Sequence, residues 1–196
     1  MSGPSGVGKT SVVEAVLDRT GADFSVSATT RHPRPGEEQG VDYYFVDDAR
    51  FRSMQAGGEL LEWAEYGGHQ YGTPVSEVMS RLDGGRDVLL DIENDGAKQV
   101  KAAYPDAVLI FLLPPSLETL EGRLRARGDT SDEDIARRLA VAEAQIAEAH
   151  RVYDHLVVNH DLATAIDEVS SILQESSLPQ GDSNAAGFGE ASQQER

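Results

Sequence analysis

The sequence predicts an α/β fold, a parallel sheet covered on both faces by helices, and three observations lead there. Gly3 to Thr10 read G-x-x-x-x-G-K-T, the pattern of a loop that wraps phosphates with its backbone N–H groups, and an amphipathic segment follows directly. The runs DVLLDI at 87–92 and AVLIFLL at 107–113 are almost continuously apolar, as strands buried on both faces must be. Helical segments separate and follow these runs, the rhythm of crossover connections between parallel strands.

From the N-terminus, TSVVEAVLDRTG puts Val12, Val13, Val16 and Leu17 on one helical face and stops at Gly21. FSVSA at 24–28 and DYYFV at 42–46 have strand character, and TTRHPRPGEEQG between them has the proline, glycine and charge of an exposed loop. ELLEWAEY and HQYG continue this strand-rich stretch. TPVSEVMSRLDGG predicts a helix capped by Thr73, with Pro74 at its first position and Gly84 and Gly85 at its end. DGAKQVKAAY, SLETLEGRLRARG, SDEDIARRLAVAEAQIAEAHRVY and DLATAIDEVSSIL are further helices, and LVVN at 156–159 is a third short apolar strand. From about Gln174 the chain is polar, aperiodic and rich in Gly, Ser and Gln, which predicts a disordered tail over 174–196.

At 196 residues one domain with mobile parts is expected. A net charge of −17 and a pI near 4.5 oppose non-specific nucleic-acid binding, which needs a positive surface to displace counterions. With no cysteine there are no disulfides and no thiolate metal sites. No apolar run approaches the roughly 20 residues of a membrane span, and MSGPSG lacks the basic and apolar regions of a signal peptide, so a cytoplasmic protein without a membrane partner is expected. Only Lys9, Lys98 and Lys101 are lysine. Adaptation to high salt and an arginine-favouring genome both account for that bias, and a KCl titration of folding separates them. Oligomeric state is not legible.

Two groups of residues carry chemistry. Gly3, Pro4, Ser5, Gly6, Val7, Gly8, Lys9, Thr10 and Ser11 form a glycine loop that opens a helix, with Lys9 reaching the β and γ phosphates and the Thr10 hydroxyl offered to Mg²⁺ accompanying ATP. The second group is basic: Arg31 and Arg34 after FSVSA, and Arg123, Arg125, Arg127, Arg137 and Arg138 around RLRARGDTSDEDIARRL. Arg123 and Arg127 lie four apart on one helix face, where one polyphosphate could meet both; a solvated face with local salt bridges is the alternative. Asp91, at the carboxyl end of an apolar strand, is placed either for a metal or base or simply for solvent.

These residues resemble the guanylate kinases. SGPSGVGKT, FSVSATTRHPRPGEEQGVDYYFV, GELLEWAEYGGHQYGTP, VLLDI followed by GAKQVK, FLLPPS, RLRARG and ARRL stand in that family's order and spacing over residues 2–173. The resemblance implies a P-loop core over 1–24, 86–113 and 150–173, an inserted β-rich GMP-binding region over 25–80 and a helical lid over 114–149. It implies a GMP phosphate site on Ser27, Arg31, Arg34, Tyr43 and Tyr71, and a guanine site on Glu62, Thr73 and Asp91. Lys9, Arg123, Arg127 and Arg138 become the catalytic cations, and Asn159 part of an adenine pocket. The implied reaction is transfer of the ATP γ-phosphoryl group to GMP and dGMP. Of Tyr43, Tyr44 and Phe45, at least one is expected to pack a core.

The sequence departs from the family in four places. Glu93, Asn94 and Asp95 replace the usual Asp, apolar residue and Gln, adding negative charge that either weakens anion binding or recruits a cation. Thr73 stands where Ser is common, and Thr10-Ser11 where Ser-Thr is common. Only Met1 and Ser2 precede the loop, where the family carries an apolar strand. Losing a central strand leaves neighbouring ladders unpaired at about 1–3 kcal/mol for each buried group, so a start upstream of Met1, or a fragment, is the expectation. Two rivals stay open: scaffold modules of the same fold that bind phosphorylated peptides, and a kinase for another phosphorylated metabolite.

Overall fold

The computed structural model describes residues 1–126 and 131–176. Helix α1 (Lys9–Thr20) buries Val12, Val13 and Val16 and ends where the Gly21 N–H donates to the Leu17 carbonyl. Strand β1 (Asp23–Phe24) and strand β2 (Ala28–Thr29) divide FSVSA, because the chain there leaves one sheet for another. Strand β3 (Tyr44–Phe45) follows the long loop, and then helix α2 (Asp48–Ala56), which the sequence reading missed. Its signals are short: Asp47 caps it by accepting from the Arg50 N–H, and Phe51 and Met54, one turn apart, fill a small core with Ala28.

Strands β4 (Leu60–Tyr66) and β5 (His69–Pro74) form a hairpin, and the sheet order is β3-β2-β5-β4. Helix α3 (Val75–Leu82) takes Pro74 as its N-cap. Thr73, expected to cap that helix, is instead a β5 residue paired in register with Glu62.

Strand β6 (Val88–Leu89) pairs in parallel with β1, helix α4 (Asn94–Ala103) follows, and strand β7 (Ile110–Leu113) pairs in parallel with the later strand β8 (His155–Val158). Helix α5 (Leu117–Ala126) packs on helix α6 (Asp132–Val152) through Leu120, Leu124, Ile135 and Ala142. Helix α7 (Leu162–Ser176) lies against α1 and runs past residue 174, where the tail was expected to begin. The remainder of that expected tail, 177–196, lies outside the described residues.

Met1 and Ser2 join the two parallel pairs. The Ile92 N–H donates to the Met1 carbonyl at 3.1 Å and the Met1 amino group donates to the Leu90 carbonyl at 2.6 Å. On the other side, the Ser2 N–H donates to the Ile110 carbonyl at 2.9 Å and the Leu112 N–H to the Ser2 carbonyl at 2.8 Å. Two residues thus make one rung on each flank, and the loop that follows leaves a backbone held from both sides. Beside Met1, apolar side chains including Leu89, Leu90, Leu109 and Ile110 line a cavity of about 380 Å³.

Candidate active site

The loop emerging from Ser2 turns through Gly6 (φ 87°) and Gly8 (φ 98°), left-handed conformations that cost a residue with a Cβ about 1 kcal/mol or more. Space demands glycine as well: a Cβ on Gly8 would lie 2.6 Å from the Asn159 amide nitrogen, and one on Gly3 would lie 2.8 Å from the Leu112 carbonyl. Val7 is fully buried and its carbonyl is clamped twice, by Asn159 Nδ2 at 2.8 Å and Arg123 Nη1 at 3.0 Å. Arg123 Nη2 also donates to the Asn159 carbonyl at 2.9 Å. The side chain assigned by resemblance to an adenine pocket is therefore directed at the loop backbone. Helix α1 has no side-chain N-cap, which leaves its first N–H groups and the positive end of its dipole facing the loop.

Lys9 forms an ion pair with Asp91. Burial works against its charge, yet Asp91 and Glu93 outweigh that and hold the ammonium above its ordinary range. Of the residues expected at the guanine site, Asp91 is bonded to Lys9, while Glu62 and Thr73 pair with each other: the Thr73 hydroxyl donates to Glu62 Oε1 at 2.7 Å. The neighbouring carboxylate whose charge acts on Glu62 is that of Glu93.

Ser27, Arg31, Arg34, Tyr43 and Tyr71 line one cavity of about 280 Å³, and Lys9, Glu62 and Asp91 line it with them. Tyr43 and Tyr71 meet edge to face at 6.0 Å, and the Arg31 guanidinium lies over the Tyr43 ring at 5.3 Å. Arg31 grips both oxygens of Glu37, at 2.9 and 2.8 Å, and the Arg34 N–H donates to the same carboxylate at 2.7 Å. Those bonds, Arg31 first, hold Glu37 down at about 2. Sequence reading missed Glu37; its six-residue separation from Arg31 within a loop carries no periodic signal. Tyr44 is the aromatic that joins the core, packing beside Phe51 while its hydroxyl donates to Glu77 at 2.7 Å.

The alternative for the arginine run, a face of local salt bridges, holds for Arg125, paired with Glu121 and Asp132, and for Arg137, paired with Asp134. Arg34, Arg123 and Arg138 have no ion pair among the described residues, and Arg127 lies outside them. The departures are absorbed locally: Lys98 pairs with Asp95, and Glu93 and Asn94 both bond to α6. Among the described residues no three His, Asp or Glu side chains gather as metal ligands, while Thr10 is exposed on the first turn of α1. That set fits Mg²⁺ carried in on a nucleotide and touched by one hydroxyl, since Mg²⁺ keeps several waters and phosphate ligands.

Glu62 is 4% exposed, and burial first, then the charge of Glu93, pushes its carboxyl above the usual range. A raised folded pKa means that ionising Glu62 costs the folded state free energy as pH climbs from the unfolded value near 4.5 through the folded one. Glu62→Gln is therefore expected to raise the Tm of the empty protein at pH 7, by an amount that shrinks to nothing as pH falls below about 4.5. Melting curves across that range check it; a variant less stable at pH 7 contradicts it.

The model of the guanylate kinase family matches residues 1–176. Guanylate kinase of Thermus thermophilus is 53% identical over 173 residues, spanning 88% of this chain and 78% of that protein. That of Thermobifida fusca is 50% identical over 174 residues, spanning 88% of each. The crystal structure of guanylate kinase from Anaplasma phagocytophilum superposes with a TM-score of 0.71 at 34% identity, covering 91% of this chain and 85% of that one. A loop held between parallel strands, a four-stranded insert beside it and a family match along the described chain agree: the chain belongs to the guanylate kinase family.

Proposed function

We propose that the chain transfers the γ-phosphoryl group of ATP to the phosphate of GMP or dGMP, giving ADP with GDP or dGDP, as a step of purine nucleotide metabolism in the cytoplasm. Family membership carries the reaction class. The observation that supports the acceptor is the buried Glu62, held by Thr73 and lining the same cavity as Arg31, Tyr43 and Tyr71. A carboxylate accepts both N–H groups on one edge of guanine, and the Thr73 hydroxyl, whose single proton points at Glu62 in the empty protein, turns to donate to the guanine carbonyl oxygen when the base binds. Adenine presents the opposite pattern and leaves those buried groups unpaired.

In this reading Ser27, Arg31, Arg34, Tyr43 and Tyr71 hold the GMP phosphate, a dianion suited to two guanidinium groups and three hydroxyls. Residues Gly3 to Ser11 hold the ATP phosphates through backbone N–H groups and the α1 dipole. Lys9 and Asp91 serve as a poised pair: the ammonium is kept charged and oriented by Asp91 until the more highly charged phosphates compete for it. Asn159 supports the loop through Val7. The Thr10 hydroxyl would hold the Mg²⁺ that accompanies ATP, and the ion would supply charge neutralisation at the phosphates. Arg123, Arg127 and Arg138 neutralise the migrating PO₃ group, and little covalent work is asked of the protein. Residues 25–80 form the GMP-binding region and 114–149 a lid that excludes water on closing. The net charge of −17 supports small nucleotides rather than nucleic acid as partners. A loop complete with Lys9 and Arg123 favours catalysis over a phosphopeptide-binding module.

The test is a coupled assay of ADP formation with ATP, magnesium and each of GMP, dGMP, AMP and UMP. GMP is expected to exceed AMP by about 10⁴-fold in kcat/KM, the discrimination a buried hydrogen-bonding site achieves. Comparable rates with AMP or UMP would remove Glu62 and Thr73 as the reader of the base.

A further inference from the structure

Ser27 and Tyr43 stand side by side at the start of the β2–β3 pair, because the Tyr44 N–H donates to the Ser27 carbonyl at 2.9 Å and Ala28 lies in register with Tyr44. Successive side chains of an extended chain point to opposite faces, so Tyr43 lines the cavity while Tyr44 turns the other way, onto the small core of Ala28 and Phe51. The Tyr44 hydroxyl ends there on Glu77 Oε1, at 2.7 Å.

Glu77 is itself anchored. It lies in the first turn of α3, by which the chain returns from the insert to the core, and its side chain is 16% exposed, so solvent screens its contacts little. Its Oε2 pairs with Arg81 Nη1, one turn on, at 2.7 Å. Arg81 Nε in turn stands 3.8 Å from Asp23 Oδ2 on β1, an oxygen that Arg86 Nη1 meets at 2.7 Å. Burial pushes Glu77 up, yet the Tyr44 hydroxyl, Arg81 and the Val26 N–H outweigh it and hold its carboxyl below the ordinary range. A line of charge thus runs from core strand β1 through Asp23, Arg81 and Glu77 to Tyr44, which is next in sequence to one cavity residue and bonded through its backbone to the other.

We infer that Glu77 is a positioning residue for the acceptor: by gripping the Tyr44 hydroxyl from behind, it fixes Ser27 and Tyr43 in the places from which they meet the phosphate of GMP. The inference rests on the kinase reading above and adds to it a residue that does not touch the nucleotide. Donors held in place beforehand need not be ordered at the moment of binding. Losing the grip therefore weakens the hold on the phosphate throughout the reaction, which shows in KM rather than in kcat.

Tyr44→Phe deletes the gripped oxygen and keeps the ring. It is expected to raise KM for GMP about fivefold, with kcat and KM for ATP within about twofold of the parent. Guanosine, which has the base and no phosphate, is the control: its Ki as a competitor of GMP should stay within about twofold. Glu77→Ala should match Tyr44→Phe, and the double variant should be no worse than either single change. Glu77→Gln keeps an oxygen for the hydroxyl and should hold KM to within about twofold of the parent. Single losses that multiply to about 25-fold in the double variant overturn the coupling. A Ki for guanosine that rises together with KM for GMP overturns the assignment to the phosphate, and a lowered Tm with KM for GMP unchanged overturns the positioning role. Should Glu77→Ala fail to fold, Tyr44→Phe carries the test through the same GMP and guanosine readings. A parent protein inactive with GMP sinks the proposed function and this inference with it, whereas an active parent whose KM for GMP ignores Tyr44→Phe sinks this inference alone.

Discussion

Arg123→Ala is expected to lower kcat by about 10²- to 10³-fold while KM for GMP changes less than threefold. The magnitude is that of one preorganised charged donor removed from a developing phosphoryl charge, about 3–4 kcal/mol of transition-state stabilisation. The asymmetry follows from where the residue stands. Arg123 is on α5, bonded to the carbonyls of Val7 and Asn159, and so it belongs to the ATP loop rather than to the cavity lined by Arg31 and Tyr71. Two of its five N–H groups are used on those carbonyls, which orients the guanidinium and leaves the others for phosphate oxygens. Removing it also frees one of the two clamps on the Val7 carbonyl, worth about 1 kcal/mol of stability, so a small fall in Tm accompanies the kinetic loss. Arg123→Lys separates the two effects: it keeps the charge but not the fork, and should recover less than a tenth of the lost rate. Unchanged turnover in Arg123→Ala would remove this residue from the mechanism.

The parts of the fold that were legible in the sequence are those where one local signal suffices. Helix α1 announces itself through Val12, Val13 and Val16, and β7 through an unbroken apolar run in which Ile110, Phe111 and Leu112 are buried. What was not legible depends on partners distant in the chain. FSVSA reads as one strand, yet Phe24 pairs beside Leu89 and Ala28 beside Gly72, so its division is decided by two different sheets. Thr73 carries the composition of a helix cap, but the register of β4 and β5 sets it opposite Glu62 and turns its hydroxyl there. The same holds in the site. The loop, Arg31 and Tyr71 were visible through motif and resemblance, whereas Glu37 at Arg31, the Lys9–Asp91 pair and the Glu93–Gln145 bond are tertiary contacts with no spacing rule to betray them. Asp91 shows the limit most plainly: its place at a strand end left a ligand role and a solvated one open, and only the fold sets it against Lys9.

Gly96→Ala is expected to raise KM for GMP by about 10²-fold with KM for ATP unchanged within twofold. Helix propensity argues the other way for stability, since alanine inside a helix is favoured over glycine by about 1 kcal/mol, and Gly96 is the third residue of α4. Space decides against it. A Cβ at this position would fall on Glu62 Oε2 and stand 2.9 Å from Glu62 Cδ, and Glu62 is buried with Thr73 bonded to its other oxygen. The carboxylate can give way only toward the cavity it lines, which means leaving Thr73; otherwise α4 shifts away from β4, the strand it packs against. Both outcomes misalign the two acceptors proposed to meet the guanine edge, and two charge-assisted hydrogen bonds at about 1.5–3 kcal/mol each set the scale of the loss. The phosphate loop is spared, because it is anchored at Ser2 by β7 and at Val7 by Asn159 and Arg123 rather than by α4. Steady-state kinetics with GMP varied at saturating ATP measure the effect, and a melting curve of the variant without nucleotide reads the steric cost separately. A Gly96→Ala protein with the parent's KM for GMP would show that Glu62 does not face the base, and the guanine reading of the cavity would fall with it.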